Sequence, residues 1–225
     1  MFKGIKLTVI RYSDWLGVKK GFYLLVAITL LFSAVPDSKA QQWPSQLWHE
    51  GKVILLQGDT LKGFVKYDLQ QDLVQFSSSN NHVEAFSARK VLFFEIFDKT
   101  VNRYRQFFAL PYNASSGYKT PVFFELLEEG KLTLLTRETL EYRTYNTYYY
   151  YSSYSRLVLV YKYFFMTEDG NIVEFHPTKN NLLDMMGRKA EDVEKYMKSN
   201  RLKVDEQDKY DLARIVAYYN SLFGT

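Results

Sequence analysis

Residues 60–77 read TLKGFVKYDLQQDLVQFS. In an extended chain Leu61, Val65 and Tyr67 fall on one side, and Lys62, Lys66 and Asp68 on the other. The polar pair Gln70-Gln71 interrupts this alternation, which resumes from Asp72 to Ser77, so the stretch predicts a β-hairpin with one buried face. Working outward, Gly58-Asp59 joins the hairpin to an earlier strand over 53–57, and the polar residues 78–81 turn into a later one. Strand patterns follow over 83–86, 90–98, 104–110, 121–128, 132–137, 156–166 and 171–176. Gly130 and the triplet Glu168-Asp169-Gly170 supply tight-turn chemistry between neighbours. The gaps are too short for crossover helices, so the strands are expected to run antiparallel.

Two segments depart from alternation. Residues 91–97 (VLFFEIF) and 157–166 (LVLVYKYFFM) are apolar on both sides, which predicts central strands with one face on the main core and the other under a second layer. The end of the chain offers that layer. A short helix opens at Pro177-Thr178, carries Leu182, Leu183, Met185 and Met186, and stops at Gly187. A second, over about 190–200, shows Val193, Tyr196 and Met197 on one side. A third, over about 207–223, aligns Leu212, Ile215, Val216, Tyr219, Leu222 and Phe223, with Lys209, Arg214 and Asn220 on its other face. The expected fold is mainly β (α+β): one antiparallel, strongly curved sheet, an open barrel or a sandwich, with C-terminal helices (about 178–223) packed on it.

The chain has 225 residues and a formal charge of +4. Six of its 29 Lys/Arg and two of its 25 Asp/Glu lie in residues 1–40, leaving 23 of each sign in residues 41–225. The basic excess is therefore confined to the leader and gives no argument for nucleic-acid binding. The full chain is 47% hydrophobic and 24% charged, a composition with which residues 41–225 can bury the core of a single domain. Cysteine is absent, which excludes disulfides, thiolate metal sites, a Cys nucleophile and a lipobox anchor. Residues 1–40 read as a signal peptide: Lys19-Lys20 precedes the uncharged run 21–35, Pro36 ends it, and Ser38-Lys39-Ala40 places small residues at the −3 and −1 positions. The run is shorter than the roughly 20 residues of a membrane-spanning helix. Export to the periplasm, the outer-membrane periphery or the exterior is expected, with an uncleaved inner-membrane anchor as the alternative.

Residues 142–155, YRTYNTYYYYSSYS, contain seven tyrosines among Ser, Thr and Asn. Tyrosine offers large contact area at low entropic cost, and small hydroxyl and amide residues adapt their hydrogen bonds, as in antibody paratopes. Tyr145, Tyr148, Tyr149, Tyr150, Tyr151 and Tyr154 are the candidate binding residues, against a structural reading as a rim hairpin whose rings cover one another. If the segment is extended, either Tyr148 with Tyr150 or Tyr149 with Tyr151 faces away from the core. His82-x-Glu84 and Glu174-x-His176 each put two ligating groups on one strand face, but a metal or acid/base site needs those two strands to meet. Solvated charge pairs account for them equally well. GxSxG, HExxH, P-loop and GxGxxG motifs are absent. The basic clusters at Arg103-Tyr104-Arg105 and 195–203 are flanked by acidic residues and read as solvated faces. Asn113-Ala114-Ser115 matches a glycosylation sequon. No catalytic residue, metal site or cofactor is assigned.

The stretch 58–68 (GDTLKGFVKYD), the segment 86–91 (FSARKV), Asn200-Arg201-Leu202 and 211–220 (DLARIVAYYN) together resemble a group of exported cell-envelope proteins of Bacteroidota. The resemblance spans most of 48–223, rests on turn glycines, strand alternation and a helix face, and transfers no catalytic residue. It implies an envelope location and a single domain. The leading expectation is a non-catalytic envelope protein that binds a protein or glycan partner. The alternatives are a small hydrolase or a ligand-carrying barrel with a pocket between sheet and helices, and an outer-membrane barrel, disfavoured by the polar-faced terminal helix and the lack of a lipid-facing belt.

Overall fold

A computed structural model describes residues 42–78, 82–113, 117–147 and 152–224. Its core is one ten-stranded antiparallel sheet whose hydrogen-bonded ladder does not close into a barrel. The strands are β1 (His49–Leu55), β2 (Thr60–Asp68), β3 (Leu73–Ser77), β4 (Val83–Ser87), β5 (Val91–Asp98), β6 (Arg103–Tyr112), β7 (Thr120–Glu128), β8 (Thr133–Thr147), β9 (Ser152–Met166) and β10 (Ile172–Phe175). Their spatial order is β10-β9-β8-β7-β6-β5-β1-β2-β3-β4. Every adjacent pair is consecutive in sequence except β1 with β5, so that β1 lies between β2 and β5 and separates β5 from the β2–β4 strands. Gly51 permits this insertion, because a Cβ there would collide with the Glu95 carbonyl of β5. The signal-peptide reading of residues 1–40 concerns residues outside those described.

The predicted hairpin forms with Asp68 opposite Leu73 and Phe64 opposite Ser77. Val65, Tyr67, Val74 and Phe76 are buried with Val53, Phe94, Ile96, Phe107 and Phe123 in a core on one face of the sheet. Three helices cover the other end of that face: α1 (Lys179–Met186), α2 (Ala190–Asn200) and α3 (Lys209–Ser221). Thr178 caps α1 by accepting from the Asn181 amide, and Asp208 caps α3 by accepting from the amides of Tyr210 and Asp211. Gly187 ends α1 at φ 52°, a left-handed conformation that glycine adopts without penalty. Leu182, Met186, Val193, Met197, Leu212, Ile215, Val216 and Tyr219 pack onto Leu134, Tyr163 and Phe165 of β8 and β9.

The expected second layer is only partly realised: the helices cover one face of β9, but on the same side of the sheet as the main core, and the opposite face of neither β9 nor β5 has helix residues in its clusters. Phe165 and Tyr163 lie under the helices, whereas Phe164 joins Phe124 and Leu135 in a separate cluster on the opposite face. On the opposite face of β5 no described helix packs. Phe93 stacks on Phe108 and Phe97 meets Tyr104 edge-on instead, and Leu92 is 48% exposed. Cross-strand aromatic pairs thus protect that face in place of a layer.

Two residues assigned to the polar face of α3 point inward. Asn220 clamps the β7–β8 turn: its amide nitrogen donates to the Leu132 carbonyl at 3.0 Å, and its carbonyl accepts from the Leu132 amide at 3.0 Å. A side chain at Gly130 would occupy that space. Lys209 is buried beneath the sheet. Arg214 is exposed as expected, near Asp211.

Candidate functional site

Two polar regions stand out, one buried and one exposed. The buried one is built from inward strand positions. Asp98 follows Phe94 and Ile96 on β5, Arg105 precedes Phe107 on β6, Glu125 follows Phe123 on β7, and Glu138 follows Leu134 and Thr136 on β8, all in the period of two. Lys209 enters from the first turn of α3. Asp98, Arg105, Glu125, Glu138 and Lys209 are each no more than 5% exposed.

Arg105 uses all five of its donors. Nε and Nη2 clamp the Glu125 carboxylate at 2.8 and 2.7 Å, Nη2 also reaches Glu138 at 2.5 Å, and Nη1 donates to Asp98 at 3.0 Å and to the Tyr67 hydroxyl at 2.9 Å. The Tyr67 hydroxyl in turn donates to Glu138 at 2.8 Å. Lys209 Nζ bridges both Glu125 oxygens at 3.0 and 2.8 Å. Burial alone would raise the Glu125 pKa, but Arg105 and Lys209 outweigh it and hold the carboxyl at about 2. Burial likewise acts against the Asp98 carboxylate, and the two hydrogen bonds from Thr100 together with Arg105 bring its pKa below the usual range. Burial pushes the Tyr67 hydroxyl well above its ordinary pKa. A carboxylate held at about 2 is no proton donor near neutrality, and Arg105 fills the space that a cation would need. The flanking acidic residues predict a solvated Arg105, whereas the side chain is buried. The signal available was its phase with Phe107, which puts a charge on the inward face and demands a partner there.

The exposed region is the continuation of β8 and β9. Both strands run further than their patterning predicts, reaching Thr147 and starting at Ser152. β7 pairs with β8 only at Leu134–Thr136, and β10 pairs with β9 only at Tyr163–Met166. From Arg137 opposite Lys162 to Thr147 opposite Ser152 the two strands pair, among the described residues, only with each other. The result is a two-stranded arm about 36 Å long at roughly 3.3 Å per residue. At its root the β2–β3 turn plugs the splay between β7 and β8. There Arg137 Nη1 donates to Asp72 at 2.9 Å and to the Phe123 carbonyl at 2.8 Å, Arg137 also donates to the Leu69 carbonyl, and Asp72 accepts from the Phe123 amide at 2.8 Å.

On one side of the arm Tyr145 stacks on Tyr154 across the strands, ring centroids 5.5 Å apart, with the Arg156 guanidinium 4.7 Å above the Tyr145 ring. Tyr142 lies on the other side, 77% exposed, in line with Leu140, Leu157 and Leu159. Of the six candidate tyrosines, the structure therefore brings Tyr145 and Tyr154 together; Tyr148, Tyr149, Tyr150 and Tyr151 lie outside the described residues.

The histidine pairs do not meet. His82 and Glu84 sit at β4, a 3.8 Å surface pair, and Glu174 and His176 sit at β10, the opposite end of the strand order. Among the described residues no group of three or more His, Asp or Glu is placed to hold a metal ion. The basic residues of α2 pair with acidic neighbours, Lys195 with Glu191 and Lys198 with Glu194. The described residues include no helix long and apolar enough to cross a membrane.

Two clefts border the buried cluster. One, of about 270 Å³, lies between the β2–β3 hairpin and the root of the arm, with Tyr67 and Glu138 among its lining residues. The other, also about 270 Å³, lies between β6–β7 and α3 and contains Arg103, Tyr210 and Arg214. The buried Tyr210 hydroxyl has no hydrogen-bond partner among the described residues, and Arg103 stacks on its ring at 4.5 Å. Compared with known proteins, the chain matches no family model, no curated protein and no solved structure.

Proposed function

We propose that this chain is an exported, non-catalytic protein of the cell envelope that holds a protein or glycan partner through its tyrosine-rich arm. The observation that carries the reading is the arm itself: a ribbon that bonds to no other strand along most of its length, with stacked and exposed tyrosine rings. An isolated two-stranded hairpin is marginal in water, and large exposed aromatic rings are an uncommon surface choice. A bound partner relieves both conditions. The buried charges supply no competing chemistry, since each is spent on another protein group. Export rests on the composition of residues 1–40, and the envelope location also on the sequence resemblance.

The test is a double substitution, Tyr145→Ser with Tyr154→Ser. Surface positions of this kind leave stability within about 0.5 kcal/mol. At matched thermal stability the variant should lose binding seen for the wild type on a glycan array or in pull-down from envelope extract. Equal binding by both proteins would place the partner elsewhere. Mass spectrometry of the secreted protein should find its N-terminus at Gln41, and intact Met1 in a membrane fraction would favour the anchor.

A further inference from the structure

The cleft between β6–β7 and α3 holds donors that the protein leaves unused. One face of α3 lines it, with Tyr210, Ala213, Arg214 and Ala217 at i, i+3, i+4 and i+7. Facing them are Arg103 and Arg105, two apart on β6, and Glu125 and Leu127, two apart on β7, all on the side of the sheet that the helices cover. Ala213 and Ala217 put methyl groups where the neighbouring stripe of α3 carries the buried Leu212, Ile215 and Val216. The missing bulk leaves a space of about 270 Å³. The Tyr210 hydroxyl is buried there without a hydrogen-bond partner among the described residues. A buried donor without an acceptor is destabilising, and a group from outside the chain can supply the acceptor.

The charges that line the cleft do not cancel. Arg105 and Glu125 are bonded to each other. Arg103 has no hydrogen bond or ion pair among the described residues, and its cross-strand partner Asp98 accepts from Arg105 and Thr100 instead. Arg103 is exposed and lies 4.5 Å from the centroid of the Tyr210 ring, a stacking that leaves the in-plane N–H groups of the guanidinium free. Among the described residues Arg214 approaches one carboxylate, Asp211, at 3.8 Å, too far for a hydrogen bond. Against these two guanidinium groups the cleft sets one further carboxylate, Glu128. The balance is a single positive charge, which matches one carboxylate better than a phosphate dianion.

We infer that this cleft binds a small carboxylic acid as its anion. Arg103 and Arg214 hold the carboxylate, the Tyr210 hydroxyl donates to it, and Leu127, Ala213 and Ala217 contact the apolar body. The hydroxyl is shut from bulk water, and the ligand reaches it as Arg103 turns from the ring to the carboxylate, a movement that breaks no hydrogen bond. The site does not depend on the role of the arm. The test is an amide-resolved NMR titration of the purified protein with butyrate and benzoate, and in parallel with butyramide, benzamide and inorganic phosphate, all at one ionic strength set with sodium chloride. Saturable shifts of the Arg103, Tyr210 and Arg214 amides are expected with at least one carboxylate, and binding of the matching amide should be about tenfold weaker. Arg103→Gln and Arg214→Gln should each weaken carboxylate binding about tenfold. Tyr210→Phe should weaken it about threefold, yet melt no lower than the wild type without ligand, since the hydroxyl it loses has no partner. No saturable shift with either carboxylate overturns the inference. Equal binding of the amides, or unchanged affinity in both arginine variants, does so too, by making the cleft an apolar pocket only. Tighter binding of phosphate would overturn the choice of a carboxylate. A lowered melting temperature of ligand-free Tyr210→Phe would show the hydroxyl already bonded to a buried water, and would overturn its place in the site.

Discussion

The charged cluster around Arg105 and the tyrosine arm are both rich in polar groups, yet they are opposites in how those groups are spent. Inside, every donor of Arg105 has an acceptor, and Glu125 takes bonds from two cations. Outside, Tyr142 is largely exposed, and Tyr145 stacks on Tyr154 with Arg156 of the same ribbon over its ring. A polar group removed from water must be matched by the protein, so buried polarity fastens structure. Groups left unmatched at the surface remain available to another molecule. The difference places fold maintenance in the cluster, and under the proposed function it leaves the arm as the surface open to a partner.

That contrast can be broken in four ways. The largest effect is expected from Arg105→Met, which strands three carboxylates with Lys209 as the remaining cation. Loss of one partner from a buried charge set costs about 3–5 kcal/mol, so the variant should unfold at much lower urea, or fail to fold. A loss under about 1 kcal/mol would mean that water enters the cluster. Ile215→Asp comes next. Ile215 is fully buried under the sheet, and an unpaired carboxylate there should cost about 3 kcal/mol or more, read as a lowered urea midpoint. An unchanged midpoint would show α3 to be dispensable, and with it the Lys209 arm of the cluster.

Acid should act on the same region. Glu125 titrates at about 2 in the fold against an ordinary 4.5. Between those values the unfolded chain binds the proton more readily, so the stabilisation is complete above about pH 4.5 and is lost as pH falls toward 2. The Asp98 shift has the same direction. Over that window the Glu125 contribution is on the order of 3 kcal/mol. Circular dichroism should show a steep acid limb in the wild type and a shallower one in Glu125→Gln, which starts less stable at neutral pH. Parallel limbs would remove Glu125 from the account. The smallest effect on stability belongs to the Tyr145/Tyr154 double variant, within about 0.5 kcal/mol at any pH. A larger loss would make the arm a structural element.

Much of the sheet was legible. The alternation in β2 and β3, the turn residues at Gly130 and Gly170, and the helical stripe of Leu212, Ile215, Val216 and Tyr219 each follow from periodicity. The arm was visible as composition but not as structure. Tyrosine, serine and threonine at 142–155 lack the inside–outside alternation that a core imposes, because most of the arm has no core beneath it. The cluster was half visible. Asp98, Arg105, Glu125 and Glu138 all sit in the phase of buried neighbours, which marks them as inward without saying that they share one space.

The sequence by itself determined the antiparallel strands, their inward faces, the three helices and the tyrosine-rich composition, because side-chain period and turn chemistry are local properties of the chain. Tertiary structure alone decided that β1 enters between β2 and β5, that Lys209 and Asn220 turn inward, and that the β2–β3 turn meets β8. It alone joined four strands and a helix around Arg105. Those outcomes depend on pairings between residues up to 91 positions apart, such as Glu129 with Asn220, and no local pattern encodes which distant partner will satisfy a buried charge or an open strand edge.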